Sequence, residues 1–204
     1  MLDHTSAAED AGWRSFAAAQ GRLTVAGRAT GSDLWDTIAD EAGRESELWT
    51  AALRPRDDQE RQPVFSTLGE KHYSLGIETI YEGYLLHYGA SRLFAPEDGD
   101  TALLLGDYLY AHGLVRIEQA GSVEAVNDLA ELIALCAYLR AEDVAGDGAV
   151  WAATAAALGR GALDEGRSTL RLDNDPSPLE RLARTTVGDA PVDAALTAHR
   201  TRLR

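Results

Sequence analysis

Residues 103–117 read Leu-Leu-Leu-Gly-Asp-Tyr-Leu-Tyr-Ala-His-Gly-Leu-Val-Arg-Ile, an apolar helical face interrupted by the pair Gly106-Asp107. Shortly before it, Ile77, Ile80, Tyr81, Tyr84, Leu85 and Tyr88 recur at three- and four-residue intervals without a miss. That spacing puts all six on one stripe of an α-helix. Two consecutive helices with apolar stripes need each other, or further helices, to cover them. The rest of the chain supplies those helices. Val126, Leu129, Ala130, Ile133 and Ala137 mark a third after Gly121-Ser122, and Ala149 to Leu158 is a small-residue helix suited to close packing. No alternating Val/Ile/Thr run appears, so the expectation is an all-α helical bundle, one domain over residues 1–204, with the helices around Ile77 to Tyr88 and Leu103 to Ile117 at its centre.

Boundary signals fit the same reading. Ser6 with Glu9 forms a capping box for a first helix through Trp13, Phe16 and Ala17, and Ser32 caps a second carrying Leu34, Trp35, Ile38 and Leu48 to Leu53. The charged run Arg54 to Gln62, with Asp57-Asp58 inside it, lies between prolines and reads as an exposed connector. Asp100 is placed to cap the helix containing Gly106. Ser177-Pro178-Leu179-Glu180 reads as another capping box, and Pro191 opens a last helix running to Arg204. Asp189 and Asp193 belong to the start of that helix, where carboxylates are favoured.

A formal charge of -14 argues against capture of nucleic acid or an anionic membrane, because both need a basic patch. Lys71 is the only lysine, so any phosphate clamp must be built from arginine. Cys136, the sole cysteine, falls on an apolar helix face and is expected as a buried, inert thiol. A lone cysteine excludes an intrachain disulfide and agrees with a reducing compartment, so a cytoplasmic location is expected. The N-terminal Met1-Leu2-Asp3-His4 lacks the layout of a secretory signal, and no apolar run approaches the ~20 residues of a membrane span.

Residues 72 to about 145 resemble the polyprenyl diphosphate synthase superfamily. The likeness is carried by Leu104-Leu105-Gly106-Asp107-Tyr108 and by Leu85-Leu86-His87 on the preceding helix. In that superfamily Leu-Leu-His is followed by an aspartate-rich magnesium motif; here Tyr88, Gly89, Ala90, Ser91 and Arg92 follow instead. Magnesium needs hard oxygen ligands, and those residue types do not supply them. The chain is most similar to the small, aspartate-poor subunit of heterodimeric heptaprenyl diphosphate synthases. The resemblance implies an isoprenoid-synthase-type bundle that acts as a noncatalytic subunit, with no cofactor of its own and magnesium only through a catalytic partner. Its expected partners are an aspartate-rich prenyltransferase subunit or a second copy, with an isoprenoid chain as ligand. It also implies that Tyr84, four places before the lost first aspartate, limits chain growth. Contacts to the isoprenoid or partner are assigned to Ile77, Ile80, Tyr81, Tyr84, Leu85, Tyr88, Leu105 and Tyr108.

Two other readings stand beside this one. The first is an enzyme, either a divergent isoprenoid-processing protein or a carboxylate-bridged metalloprotein: Glu78 and Glu82 lie one helical turn apart, and Asp107 and His112 sit on the next helix, so the four are a candidate carboxylate–imidazole metal set. Against it, a di-iron bundle uses Glu-x-x-His pairs, which this set lacks. Asp107 and His87 are also read as structural polar residues: a buried Asp107 would need a partner such as Arg92, Tyr81 or Tyr108. The remaining class is a helical protein-interaction module unrelated to lipids.

Overall fold

The computed structural model describes residues 33–203, and the residues from Leu34 onward form one compact unit. The expected Ser6 capping box, the Trp13–Phe16 helix and the Ser32 cap lie outside the described residues. Among the described residues the fold is all-α: α1 (Leu34–Glu45), α2 (Glu47–Ala51), α3 (Ser74–Tyr88), α4 (Gly99–Gln119), α5 (Val123–Ala141), α6 (Asp147–Ala157), α7 (Asp164–Asp173), α8 (Ser177–Val187) and α9 (Asp189–Arg200). No helix among them is long and apolar enough to cross a membrane.

The pair α3 and α4 is antiparallel and keyed by glycine. A Cβ on Gly83 would stand 2.8 Å from the carbonyl oxygen of Gly106, and one on Gly113 would stand 3.1 Å from that of Gly76. On the same seam, Gly76 faces the Ile117 side chain and Gly106 faces the His87 ring. Two glycines per helix, seven residues apart on each, therefore let the backbones approach where any side chain would hold them off. The interruption at Gly106 that the sequence shows is this contact point.

The most deeply buried helices are α3 and α6, whereas α4, expected from the sequence to share the centre with α3, packs closely along α3 but is open on its outer side. Every residue from Gly148 to Ala157 is buried, and so is every residue from Gly76 to Leu86. Ala-rich α6 is apolar all round and accepts neighbours on several sides, packing against α5, α8 and α9. By contrast α4 keeps an outer face to solvent, where Leu103, Leu104 and Val115 are each about half exposed. One core cluster joins α3, α5, α6, α8 and α9. A smaller one sets Trp35, Ile38 and Ala42 of α1 against Leu105 and Leu109 of α4 with Leu93 and Phe94.

Several boundaries differ from expectation. Asp98, not Asp100, caps α4, its Oδ1 accepting from Thr101 N at 2.7 Å. Ser177 is inside α8 rather than capping it, and Asp175 accepts from its backbone N–H instead. The helix that includes Pro191 ends at Arg200, because Thr201 to Leu203 turn away to pair with the end of α3. There Ala90 N donates to Arg202 O at 2.8 Å. The connector at Pro55 to Asp58 is exposed as expected, yet its flanks are tied down: Arg54 N donates to Leu93 O and Glu60 N to Arg92 O.

Candidate functional site

Helix α3 carries two polar clusters on different sides. The first is closed. Glu78 and Glu82, one turn apart, both hold the guanidinium of Arg92, with all three side chains fully buried. Arg92 Nε donates to Glu82 Oε1 at 2.5 Å, and its Nη1 lies 2.8 Å from Glu78 Oε2. Backbone donors take the remaining carboxylate oxygens: Val64 N and Ser66 N on Glu78, and Arg92 N and Leu93 N on Glu82, which also accepts from the Ser91 hydroxyl. The flat faces of Arg92 are covered by the rings of Trp35 and Tyr81, at 4.4 and 4.9 Å from its Cζ. Burial alone would weaken the arginine's hold on its proton, but the charges of Glu78 and Glu82 outweigh it and hold the pKa above its ordinary value. This clamp staples two irregular segments, Val64–Ser66 and Ser91–Phe94, onto α3.

The second cluster reaches a cavity. Tyr84 donates its hydroxyl proton to Asp147 Oδ2 and accepts from Arg140 Nε and Nη2 at 3.1 and 2.8 Å. Arg140 Nη2 also bonds Asp147 Oδ2, while Gly148 N donates to Oδ1 at 2.9 Å. His199 stands behind, its Nε2 3.5 Å from Asp147 Oδ2 and its Nδ1 3.0 Å from the Tyr81 hydroxyl. Burial pushes Asp147 upward in pKa, yet the nearby His199, the Tyr84 hydroxyl and the charge of Arg140 outweigh it and hold the carboxyl well below the usual carboxylate range. The hydroxyls of Tyr81 and Tyr84 are driven the other way, chiefly by burial. A carboxylate held this firmly ionised is a poor proton acceptor. The donors around Asp147 fix its position and that of Arg140.

Above this network opens a cavity of about 730 Å³, walled by Tyr88, Leu139, Val144 and Leu203, with Arg140, Asp143 and Asp147 as its charged lining. It forms where the C-terminal ends of α3 and α5 meet the start of α6. A narrower cleft of about 300 Å³ shares Asp147 and Leu203 with it and reaches His199.

The residues read from the sequence as isoprenoid or partner contacts divide accordingly. Ile77, Ile80, Tyr81, Tyr84 and Leu85 are fully buried core residues, and Leu105 is buried in the smaller core. Tyr108 packs on Trp49, with ring centroids 4.2 Å apart. Of the set, Tyr88 lines the cavity, and Tyr84 lies beneath it, joined to it through Arg140. A stripe this deep cannot itself form an open groove.

The candidate metal set does not assemble. Glu78 and Glu82 face Arg92, Asp107 pairs with His87 at 3.2 Å, and His112 lies 3.6 Å from Glu41. Among the described residues no group of three or more His, Cys, Asp and Glu side chains is placed to share an ion. Asp107 is also not the buried carboxylate considered above: its side chain is 65% exposed, so Arg92, Tyr81 and Tyr108 are not needed as partners. His87 is packed against Tyr110, and burial lowers its pKa against the raising effect of Asp107. The magnesium motif of the resemblance finds no fit either: its carboxylate positions hold Tyr88, Gly89 and Arg92, of which Arg92 turns inward to Glu82. Cys136 is buried and free, and its thiol is pushed well up by burial.

Arg140, Asp147 and His199 were not singled out from the sequence. Gly146-Asp147-Gly148 repeats a glycine–aspartate pairing at a helix start, which is the available signal for Asp147. No protein-family model, curated protein or solved structure matches the chain.

Proposed function

We propose that this chain is a noncatalytic helical subunit that receives an apolar chain of the isoprenoid kind in the cavity beside Tyr88 and works with a catalytic prenyltransferase partner. The observation that carries this reading is the cavity itself. At about 730 Å³ it matches the size of small-molecule pockets, and Tyr88, Leu139, Val144 and Leu203 give it apolar walls around a guanidinium–carboxylate pair that is already mutually satisfied, with one further carboxylate, the exposed Asp143, in its lining. Nothing there resembles a nucleophile with an adjacent base, so the contribution is contact and shape. Any magnesium chemistry belongs to the partner, as does the requirement for it. The lone buried cysteine supports a reducing, cytoplasmic setting.

The test is calorimetric titration of the chain with geranylgeraniol without magnesium, alongside Tyr88→Ala. Saturable binding that weakens about tenfold in the variant supports the reading; absence of binding overturns it. Tyr88 is the right position because Tyr84 is a core residue, whose loss to alanine would cost about 3–5 kcal/mol of packing and confuse any change in product length. Coexpression with an aspartate-rich synthase then reads whether product length depends on this chain.

The exposed outer face of α4, with Leu103, Leu104 and Val115, favours a second reading as a protein-interaction module without lipid. A stable complex formed with no ligand binding to either chain would select it.

A further inference from the structure

We infer that the cavity beside Tyr88 selects an uncharged head group: its ligand is an amphipathic molecule with an apolar body and a hydrogen-bond acceptor that meets Arg140. This rests on the reading that the cavity receives an apolar chain, and adds which chemical end that chain carries. Arg140 is held in place by its Nε and Nη2, both engaged with Tyr84 and the latter also with Asp147. Its Nη1 makes no hydrogen bond to another described residue, and its side chain, 24% exposed, lines the cavity. A preorganised guanidinium edge of this kind gives an acceptor a fixed pair of N–H groups.

The surrounding charge decides which acceptor. Asp147 already neutralises Arg140, and Asp143 adds a further carboxylate to the lining. An anionic head docked on Arg140 would lie beside two carboxylates in a chain of formal charge -14. A diphosphate needs several cations, and the lining offers one that is already paired. A cationic head is disfavoured in turn at this edge: the donor it would meet is itself positive, Asp147 has its acceptors filled, and Asp143, the other carboxylate of the lining, is exposed, where solvent screens its pull. An alcohol or carbonyl oxygen has neither problem: it accepts from Nη1 and brings no charge to be desolvated.

The experiment titrates the chain with octan-1-ol, octanoate and octylammonium at neutral pH and low salt, so that only the head changes. The expected result is that the alcohol binds about tenfold or more tightly than either ion. In Asp143→Asn, an exposed position, the alcohol should be unaffected while octanoate gains about threefold. Arg140→Met should weaken the alcohol; if that variant does not fold, Asp143→Asn carries the test. Tighter binding of octanoate or octylammonium, or a folded Arg140→Met that binds alcohol unchanged, overturns the inference and leaves the cavity reading standing. Failure of all three probes to bind overturns both.

Discussion

The Glu78–Arg92–Glu82 clamp and the Tyr84–Arg140–Asp147–His199 network hang from the same helix and use the same chemistry, a guanidinium held by carboxylates and aromatic rings. Their difference is closure. In the clamp the carboxylates are also met by backbone donors, and all three side chains are sealed from solvent. In the network Arg140 and Asp147 keep 24% and 14% of their side chains exposed, at the foot of a cavity. A sealed ionic cluster can hold a fold together but can meet no ligand. An ionic cluster with one open edge can do both, and that contrast is what singles out the second as the candidate site.

The contrast is open to breaking by substitution. Arg92→Met should have the largest effect, about 3–5 kcal/mol in urea unfolding, because it strands two buried carboxylates. A loss under about 2 kcal/mol would mean that the clamp is not closed in solution. Asp147→Asn should cost about 2 kcal/mol at neutral pH, through a charged acceptor that Tyr84, Arg140 and Gly148 all use. Its sign with pH follows from the depressed carboxyl. A group whose folded pKa lies below its unfolded value of about 3.9 stabilises fully above that value, and the contribution fades as pH falls toward the folded one. The stability gap between the native chain and Asp147→Asn should therefore be constant near neutrality and narrow below about pH 4; a constant gap through that range would remove the carboxylate from the account. Arg140→Met should cost least, about 1 kcal/mol, since solvent can reach what it leaves behind. Equal losses for Arg92→Met and Arg140→Met would erase the distinction between sealed and open clusters.

Much of the scaffold was legible in the sequence, and little of the site was. The stripe from Ile77 to Tyr88 and the interruption at Gly106 were local signals, since spacing and a missing side chain act within a few residues. What no local pattern carries is which polar groups meet. His199 reaches Tyr81 across 118 positions, and Arg140 reaches Tyr84 across 56. The stripe also misled. Reading α3 as two-faced made Glu78 and Glu82 available as ligands, whereas the helix is buried on every side and its polar positions had to find partners from connectors. Arg92 lies in the stretch that replaces the expected magnesium motif, which showed what was lost there but not that the arginine turns inward.

The glycine seam between α3 and α4 has a mechanical consequence. Side chains between packed helices act as springs, and a helix resting on them can creep. Here carbonyls meet glycine at Gly83 and Gly113 while Ile80, His87 and Ile117 fill the notches beside them, so a small slide of α3 would drive side chains out of their notches and a Cβ into a carbonyl. The next position at which glycine again meets glycine, Gly76 opposite Gly106, lies seven residues away, about 10.5 Å at 1.5 Å per residue. The pair thus behaves as a detent with widely spaced stops. Whatever adaptation a ligand demands at the cavity must come from the segments around it, the start of α6 and the turn at Thr201 to Leu203, while α3 stays where it is.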